Sequence, residues 1–161
     1  MKTKRTSRQQ KTRDAVAAHP FFAGLKSKHL DALAALAREV RLGTDAAILK
    51  EGKAASAFFL LQEGDVGLVT HHTLGGESMI QTLHAGDALG WSWMFEPHIW
   101  HFDAHALSPV RALRFNANKL RELCEQKPKL GLVVYQRIAE VIMKRLQATR
   151  LQLLDWYGDR R

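Results

Sequence analysis

Ala57 to Thr70 reads AFFLLQEGDVGLVT, and this stretch decides the fold class. Two short apolar runs flank a Glu-Gly-Asp break, and both runs have the length and apolar character of buried strands. Glycine at the break supplies the positive φ angle that a tight turn requires. The stretch therefore predicts two β-strands joined by a short turn.

The same pattern of short apolar runs and glycine turns continues on both sides of this stretch. Five strands are predicted, at Ala46 to Leu49, Ala57 to Leu61, Val66 to Thr70, Ser78 to Leu83 and Val110 to Phe115. Evenly spaced short strands are typical of antiparallel closed or rolled sheets. We expect a mainly β domain, an antiparallel β-roll or jelly-roll barrel, with flanking helices.

Helical spacing appears before the strands and again after them. Phe21 and Phe22 are expected to plug the core, and Ser27 is placed to cap a helix that continues through Val40 and ends at Gly43. Asn116 is placed to cap a third helix that runs to about Glu125. The roll is thus expected to lie between N-terminal and C-terminal helices.

Pro128 opens a last, long helix, which we expect to mediate a homodimer. From Pro128 to Trp156 it would extend roughly 40 Å, longer than one face of a small roll can cover. Its apolar stripe supplies the predicted dimer interface: Val134, Ile138, Val141, Ile142 and Leu146. The alternative is a helix that folds back along its own roll.

Length and charge fit a single soluble domain that stays in the cytoplasm. The chain has 161 residues, 46% of them apolar, and carries no apolar run long enough to span a bilayer. Much of the net charge of +8 comes from residues 1–14, which predict a disordered basic tail. The predicted organisation is this tail, a roll at 15–127 and the dimer helix at 128–161.

Three further motifs carry a family resemblance. They are Lys50-Glu51-Gly52, the run Ala57 to Gly64, and Gly86-Asp87-Ala88-Leu89-Gly90 followed by Ala104. Together with the order of elements, they resemble the cyclic-nucleotide-binding domain of the catabolite-activator family. The resemblance covers about Phe21 to Arg150. It implies a roll that holds a cyclic nucleotide and a long helix that pairs two subunits.

The phosphate cassette of that family departs from its usual pattern here. The resemblance places the ligand site at Gly90, Trp91, Ser92, Trp93, Phe102, Asp103 and Ala104. Trp91 stands where an acid would hold the ribose, Phe102 where an arginine would neutralise the phosphate, and Asp103 where a hydroxyl would bind it. We therefore expect a regulatory sensor of a small ligand other than ordinary cyclic AMP.

Aromatic side chains crowd the cassette and leave two interpretations open. They are Trp91, Trp93, Phe95, Trp100 and Phe102. They can line a pocket for a flat or apolar ligand, or they can fill the space that a nucleotide would occupy. The second interpretation makes the chain a protein-interaction module that docks a partner protein.

The remaining motifs favour neither catalysis nor a cofactor. His98, His101 and His105 have no cysteine or acid at a recognised ligand spacing, so no metal site and no cofactor is predicted. As an alternative, His98 or His101 could serve as an axial ligand of haem. No catalytic set appears, and an enzyme is not expected. No helix-turn-helix follows the last helix, so sequence-specific DNA binding is not expected except through a separate DNA-binding partner.

Overall fold

A computed structural model describes residues 6–158, which form two antiparallel four-stranded sheets with helices before and after them. The helices are α1 (Ser7–Ala18), α2 (Ser27–Leu36), α3 (Ala117–Gln126) and α4 (Pro128–Gly158). The strands are β1 (Ala37–Leu42), β2 (Ala47–Leu49), β3 (Ala57–Glu63), β4 (Val66–His71), β5 (Glu77–Leu83), β6 (Ala88–Leu89), β7 (Asp103–Ala106) and β8 (Val110–Asn116). Short 3₁₀ helices lie at Pro20–Phe22 and Trp91–Met94.

The strand order confirms the predicted jelly-roll fold. One sheet has the order β1-β8-β3-β6 and the other has the order β2-β7-β4-β5. Apart from β4 and β5, which pair directly, consecutive strands lie in different sheets, so the chain crosses repeatedly between the two layers. The turn between β3 and β4 depends on Gly64, whose φ is +84°, because an added Cβ would lie 2.2 Å from the Pro109 carbonyl oxygen.

Contacts divide the chain into two compact units, Met1–Leu123 and Cys124–Arg161. The first unit contains both sheets, α1 and α2, and the second contains most of α4. The division falls inside α3, slightly before the predicted boundary between residues 127 and 128. Within the second unit α4 begins close to the end of α3, since a Cβ on Gly131 would approach the Cys124 carbonyl oxygen to 2.6 Å.

Aromatic rings form the centre of the first unit, and they include the predicted plug. Phe21 and Phe22 are buried, and their rings make edge contacts with Phe58 at 5.4 Å and Phe115 at 5.9 Å. Proline at the first position of the 3₁₀ helix and the His19 side chain, which accepts the Phe21 N–H, fix this turn. Local capping by His19 and packing of the two rings against the core therefore both hold Phe21 and Phe22 in place.

Three local predictions differ from the structure. Residues 7–14, expected to belong to a disordered tail, form the start of α1, whose Thr6 and Gln9 make a reciprocal capping box; residues 1–5 lie outside the described range. Ser27 does not cap α2, because it is the first helical residue and Lys26 occupies the N-cap position; the Ser27 hydroxyl accepts a hydrogen bond from Arg13. The helix predicted to reach Gly43 ends at Leu36, where β1 begins.

The apolar stripe of α4 is only partly exposed. Val134 and Ile138 are buried, Val141 and Ile142 are half-buried, and Leu146 is 52% exposed. Further exposed apolar side chains continue toward the end of the helix, at Leu151, Leu153, Leu154, Trp156 and Tyr157. Among the described residues, no helix is long and apolar enough to cross a bilayer.

Candidate functional site

The cassette begins where β6 ends, at a glycine that no other residue replaces easily. Gly90 has a φ of 87° and precedes the 3₁₀ turn Trp91–Met94. A Cβ at this position would lie 3.0 Å from the Trp100 ring and 3.2 Å from the Ala57 carbonyl oxygen. Gly90 therefore lets the backbone turn left-handed directly beneath an aromatic side chain.

The predicted aromatic cluster separates into buried and accessible members. Trp93 and Trp100 are buried, and Trp93 stacks edge-on against Phe58 at 6.2 Å. Trp91 and Phe102 are half-buried, whereas Phe95 is 53% exposed. Two of the five rings thus belong to the core, and Trp91 and Phe102 remain partly accessible to a ligand.

Two further contacts hold the short 3₁₀ turn in place. The Trp93 carbonyl accepts a hydrogen bond of 2.7 Å from the Arg121 guanidinium on α3. Ser92 is buried, and its carbonyl accepts the Phe95 N–H. The predicted residues from Gly90 to Trp93 are therefore brought together on one tightly anchored turn.

Asp103, at the start of β7, is the most heavily hydrogen-bonded side chain of the cassette. Its Oδ2 lies 2.6 Å from Lys50 Nζ and 3.1 Å from His71 Nε2, while its Oδ1 accepts the Glu51 backbone N–H at 2.7 Å. The carboxylate is 2% exposed, yet it has donors on both oxygens. Such a buried carboxylate is stable only because these donors replace water.

The electrostatics of Asp103 follow from these contacts. Burial by itself raises the pKa of the carboxyl group, but the hydrogen bonds from the Glu51 N–H, Lys50 and His71 outweigh it. The pKa of Asp103 therefore lies well below its usual range, and the hydrogen bond to Asp103 raises the pKa of Lys50. The residue is a fixed anion paired with a fixed cation.

Lys50 supplies Asp103 with a counter-charge from a distant part of the sequence. No lysine or arginine lies between Gly90 and Leu107, so the neighbouring sequence offers Asp103 no counter-charge. The pairing of β2 with β7 brings Lys50, just after β2, to the carboxylate. Asp103 is therefore neutralised, and the repulsion that it would exert on a phosphate is smaller than the sequence suggests.

The positions of Phe102 and Ala104 complete the cassette. Ala104 is buried and pairs with Leu49 on one side and Leu68 on the other, so it faces core residues. Phe102, which the resemblance places at the position of the family's arginine, is half-buried. Its side chain is an apolar ring and carries no charge.

Carboxylate and imidazole groups also meet at Asp103, which the sequence did not predict. Ligand atoms of Glu51, His71 and Asp103 lie within 4.8 Å of one another. His105 Nε2 lies 3.9 Å from Asp103 Oδ2. Glu51 lies just after β2, His71 ends β4, and Asp103 and His105 belong to β7. Spacing along the chain could therefore not reveal this group, whereas strand pairing would have.

Known structures share this architecture. A putative cyclic nucleotide-binding protein from Geobacter metallireducens is 29% identical, over 88% of this chain and 99% of that chain, with a TM-score of 0.72. A cyclic nucleotide-binding domain from Methylobacillus flagellatus is 19% identical, over 92% and 83%, with a TM-score of 0.77.

A third similar structure comes from Trypanosoma brucei. It is a triple mutant of the regulatory subunit of a cAMP-independent protein kinase A, with cAMP bound in its A site. It is 19% identical over 87% of this chain and 48% of that chain, with a TM-score of 0.68. Likenesses at this level of identity establish the fold.

Sequence comparison assigns the family. No curated protein matches the sequence of this chain. The family model described as the cyclic nucleotide-binding domain matches residues 39–127, which is more than half of the chain. The match begins in β1, ends just after α3, and includes both sheets and the whole cassette. The chain therefore belongs to the cyclic nucleotide-binding domain family.

Proposed function

We propose that this protein is a regulatory module that binds a small ligand other than cyclic AMP or cyclic GMP and transmits binding through paired α4 helices. One observation carries the proposal: Phe102, which the resemblance places at the arginine position, is an apolar ring, and the Lys50 ammonium beside Asp103 is already bound by that carboxylate. A phosphate would have to break that ion pair to gain Lys50 as its counter-charge. A charge-assisted hydrogen bond lost in this way costs about 1.5–3 kcal/mol, or roughly tenfold to more than a hundredfold in affinity.

The ribose side of the cassette supports the same conclusion. Trp91 replaces the acid that would accept hydrogen bonds from ribose hydroxyls, and an indole N–H only donates. Trp91 and Phe102 are half-buried aromatic rings, which suit a flat or apolar ligand better than a sugar phosphate. The ligand class that we propose is therefore an uncharged or weakly charged molecule with a flat or apolar surface.

A similar protein is described as part of a cAMP-independent kinase. The regulatory subunit of the trypanosome kinase is called cAMP-independent, and the form bound to cAMP carries a threonine-to-arginine substitution among its three changes. The fold is therefore compatible with a regulatory subunit that is described as independent of cAMP.

A gain-of-function variant tests the proposal. Phe102→Arg combined with Asp103→Ser restores a cation and a hydroxyl, and it releases Lys50 from its ion pair. We expect this variant to bind cyclic AMP in isothermal titration calorimetry at least tenfold more tightly than the wild type. Phe95→Arg is the matched control, since it adds the same charge at an exposed position of the cassette. Equal affinity of the double variant and the control would contradict the proposal.

The buried tryptophans favour a second candidate function. Trp93 and Trp100 are 0% and 5% exposed, so they already fill part of the space beside Gly90. If Trp91 and Phe102 close the remaining space, the chain works as a protein-interaction module instead of a ligand sensor. Mass spectrometry of small molecules released from the denatured purified protein separates the two functions. A stoichiometric organic compound supports the sensor, and a clean spectrum favours the interaction module.

A further inference from the structure

The acid and imidazole groups around Asp103 project from one face of the second sheet. Val69 pairs directly with Asp103, and directly opposed residues of antiparallel strands share a face. His71 and His105 each lie two residues along their strands, so alternation returns them to this same face. His71 and Glu77 on this face are exposed, and Asp103 lies buried beneath His71 and Lys50.

Distances within this group suit a small cation. His71 Nε2 and Asp103 Oδ2 are 3.1 Å apart, and the Glu51, His71 and Asp103 ligand atoms lie within 4.8 Å of one another. Two ligand atoms bound tetrahedrally at 2.0–2.1 Å from a metal ion are about 3.4 Å apart. Small side-chain movements would therefore bring these ligand atoms to coordination distance from one ion. His105 Nε2, 3.9 Å from the same carboxylate oxygen, is placed to be a fourth ligand.

The other nitrogen of His71 faces a second carboxylate. Glu77, paired with His71 across β4 and β5, has its Oε2 3.9 Å from His71 Nδ1. Metal-binding histidines almost always hydrogen-bond through their remaining nitrogen, often to a carboxylate that orients the ring. Asp103 is oriented in the same way, because the Glu51 N–H holds its Oδ1. The cluster thus has both candidate ligands and groups that orient them.

We infer that this cluster binds a divalent transition-metal ion of the zinc class, with His71, Asp103 and Glu51 as ligands and His105 as the fourth. Mixed nitrogen and oxygen ligands are suited to Zn²⁺, whereas Mg²⁺ and Ca²⁺ prefer oxygen alone. The Lys50 ammonium now provides positive charge at this carboxylate, and its side chain is 59% exposed. The ion therefore competes with an ammonium that is exposed enough to be hydrated once its contact with Asp103 is broken.

Zinc binding can be tested separately from the proposed ligand specificity, although Asp103 belongs to both sites. The metal ligands come from one face of β4 and β7 and from Glu51 just after β2, whereas Trp91, Trp93 and Phe102 are not part of the cluster. A protein that binds zinc but no organic molecule, or the reverse, would therefore support one proposal and contradict the other.

Calorimetry on the metal-stripped full chain with ZnCl₂ tests this inference. We expect one Zn²⁺ per chain with a micromolar dissociation constant, and Co²⁺ substitution should give the visible absorption of a tetrahedral site. His71→Ala should weaken binding at least tenfold, and Lys50→Met should strengthen it because the competing ammonium is gone. His84→Ala is the matched control, since His84 is an exposed histidine paired with Asp65 away from the cluster and its loss should change nothing.

Glu77→Gln separates an orienting role from direct ligation. Glu77 contacts the nitrogen of His71 that does not face Asp103, so its loss should weaken zinc binding less than His71→Ala while leaving one ion per chain. Thermal unfolding of each zinc-free variant shows whether it remains folded. Wild-type binding weaker than about 1 mM, or His71→Ala binding as tightly as His84→Ala, would overturn the inference.

Discussion

Gly90 holds a left-handed backbone conformation with a φ of 87°, directly before the turn that carries Trp91 and Trp93. Two constraints act on it together, because its conformation excludes side chains and the Trp100 ring occupies the space where a Cβ would be. Asp103 differs from Gly90 in this respect, because hydrogen-bond donors from distant parts of the chain hold its side chain in place. The glycine was identifiable from the sequence, whereas the partners of Asp103 were not.

Alanine substitutions separate the two constraints on Gly90. Gly24 has a similar φ of +80°, but nothing lies within 4 Å of its absent Cβ. Gly24→Ala should therefore lower the free energy of unfolding by about 1–2 kcal/mol, the conformational cost alone. Gly90→Ala should cost clearly more, because Trp100 must also move. Chemical denaturation of both variants checks this, and equal losses would contradict the packing argument.

His19 predicts a pH dependence of stability. Its Nδ1 accepts the Phe21 N–H and its Nε2 donates to the Leu61 carbonyl, so the buried ring is neutral. Burial lowers the pKa of His19 and outweighs the opposing effects of the Leu61 carbonyl and Asp87. The unfolded chain therefore takes up this proton first, at pH values near 6.5.

The free energy of unfolding should accordingly fall as the pH is lowered below about 6.5 and stop falling below the folded-state pKa of His19. Denaturation series between pH 5 and 8 measure this slope. His19→Gln keeps a donor for Leu61 but cannot titrate, so its slope should be shallower than that of the wild type. Parallel slopes would show that His19 makes no such contribution.

At the level of elements, local signals predicted β2 to β5, β8, α3 and α4, because each is bounded by turn or capping residues. The cap of α3 is as predicted, since Asn116 accepts the Lys119 N–H. β1 was predicted as helix, because Ala37 and Val40 continue the spacing of α2. Pairing of all six β1 residues with β8 overrides this propensity.

β7 was missed for a related reason. Asp103 and His105 alternate with alanines, a pattern without the large apolar residues that mark strands. Its strand conformation comes from its neighbours β2 and β4. Elements that depend on partners distant in sequence are those that local patterns identify least well.

The exposed part of α4 predicts which substitutions separate a homodimer. Ile138 is buried within one chain, so Ile138→Asp would destabilise the fold and could not report on dimers alone. Leu153 is 50% exposed and lies seven residues after Leu146, on the same helical stripe. Leu153→Asp should therefore yield monomers that remain folded.

Light scattering at roughly 50 µM protein measures the oligomeric state of both forms. The exposed Lys144→Asp variant carries a similar new charge off the stripe and should remain dimeric. A monomeric wild type, or dissociation by Lys144→Asp as readily as by Leu153→Asp, would contradict paired α4 helices.

For the molecule as a whole, fold and function were predictable to different degrees. Strand and turn patterns indicated a jelly roll, and the motifs from Gly86 to Gly90 indicated the family. The residues of the cassette were predictable, but the partners of Asp103 were not, because strand pairing brings Lys50, Glu51 and His71 to it. The resemblance marks Trp91, Phe102 and Asp103 as departures from the family pattern, and the structure supplies the groups that contact Asp103.

Direct titration of the wild-type protein with cyclic AMP and cyclic GMP is the measurement that tests the central claim. Trp91 is half-buried at the cassette, so its fluorescence should respond to a bound nucleotide, and calorimetry measures the heat of the same titration. We predict no saturable change in either signal up to about 1 mM nucleotide, equivalent to a binding free energy weaker than about −4 kcal/mol. Saturable binding at micromolar concentration, abolished by Trp91→Ala, would contradict the claim that this cassette has lost cyclic-nucleotide recognition.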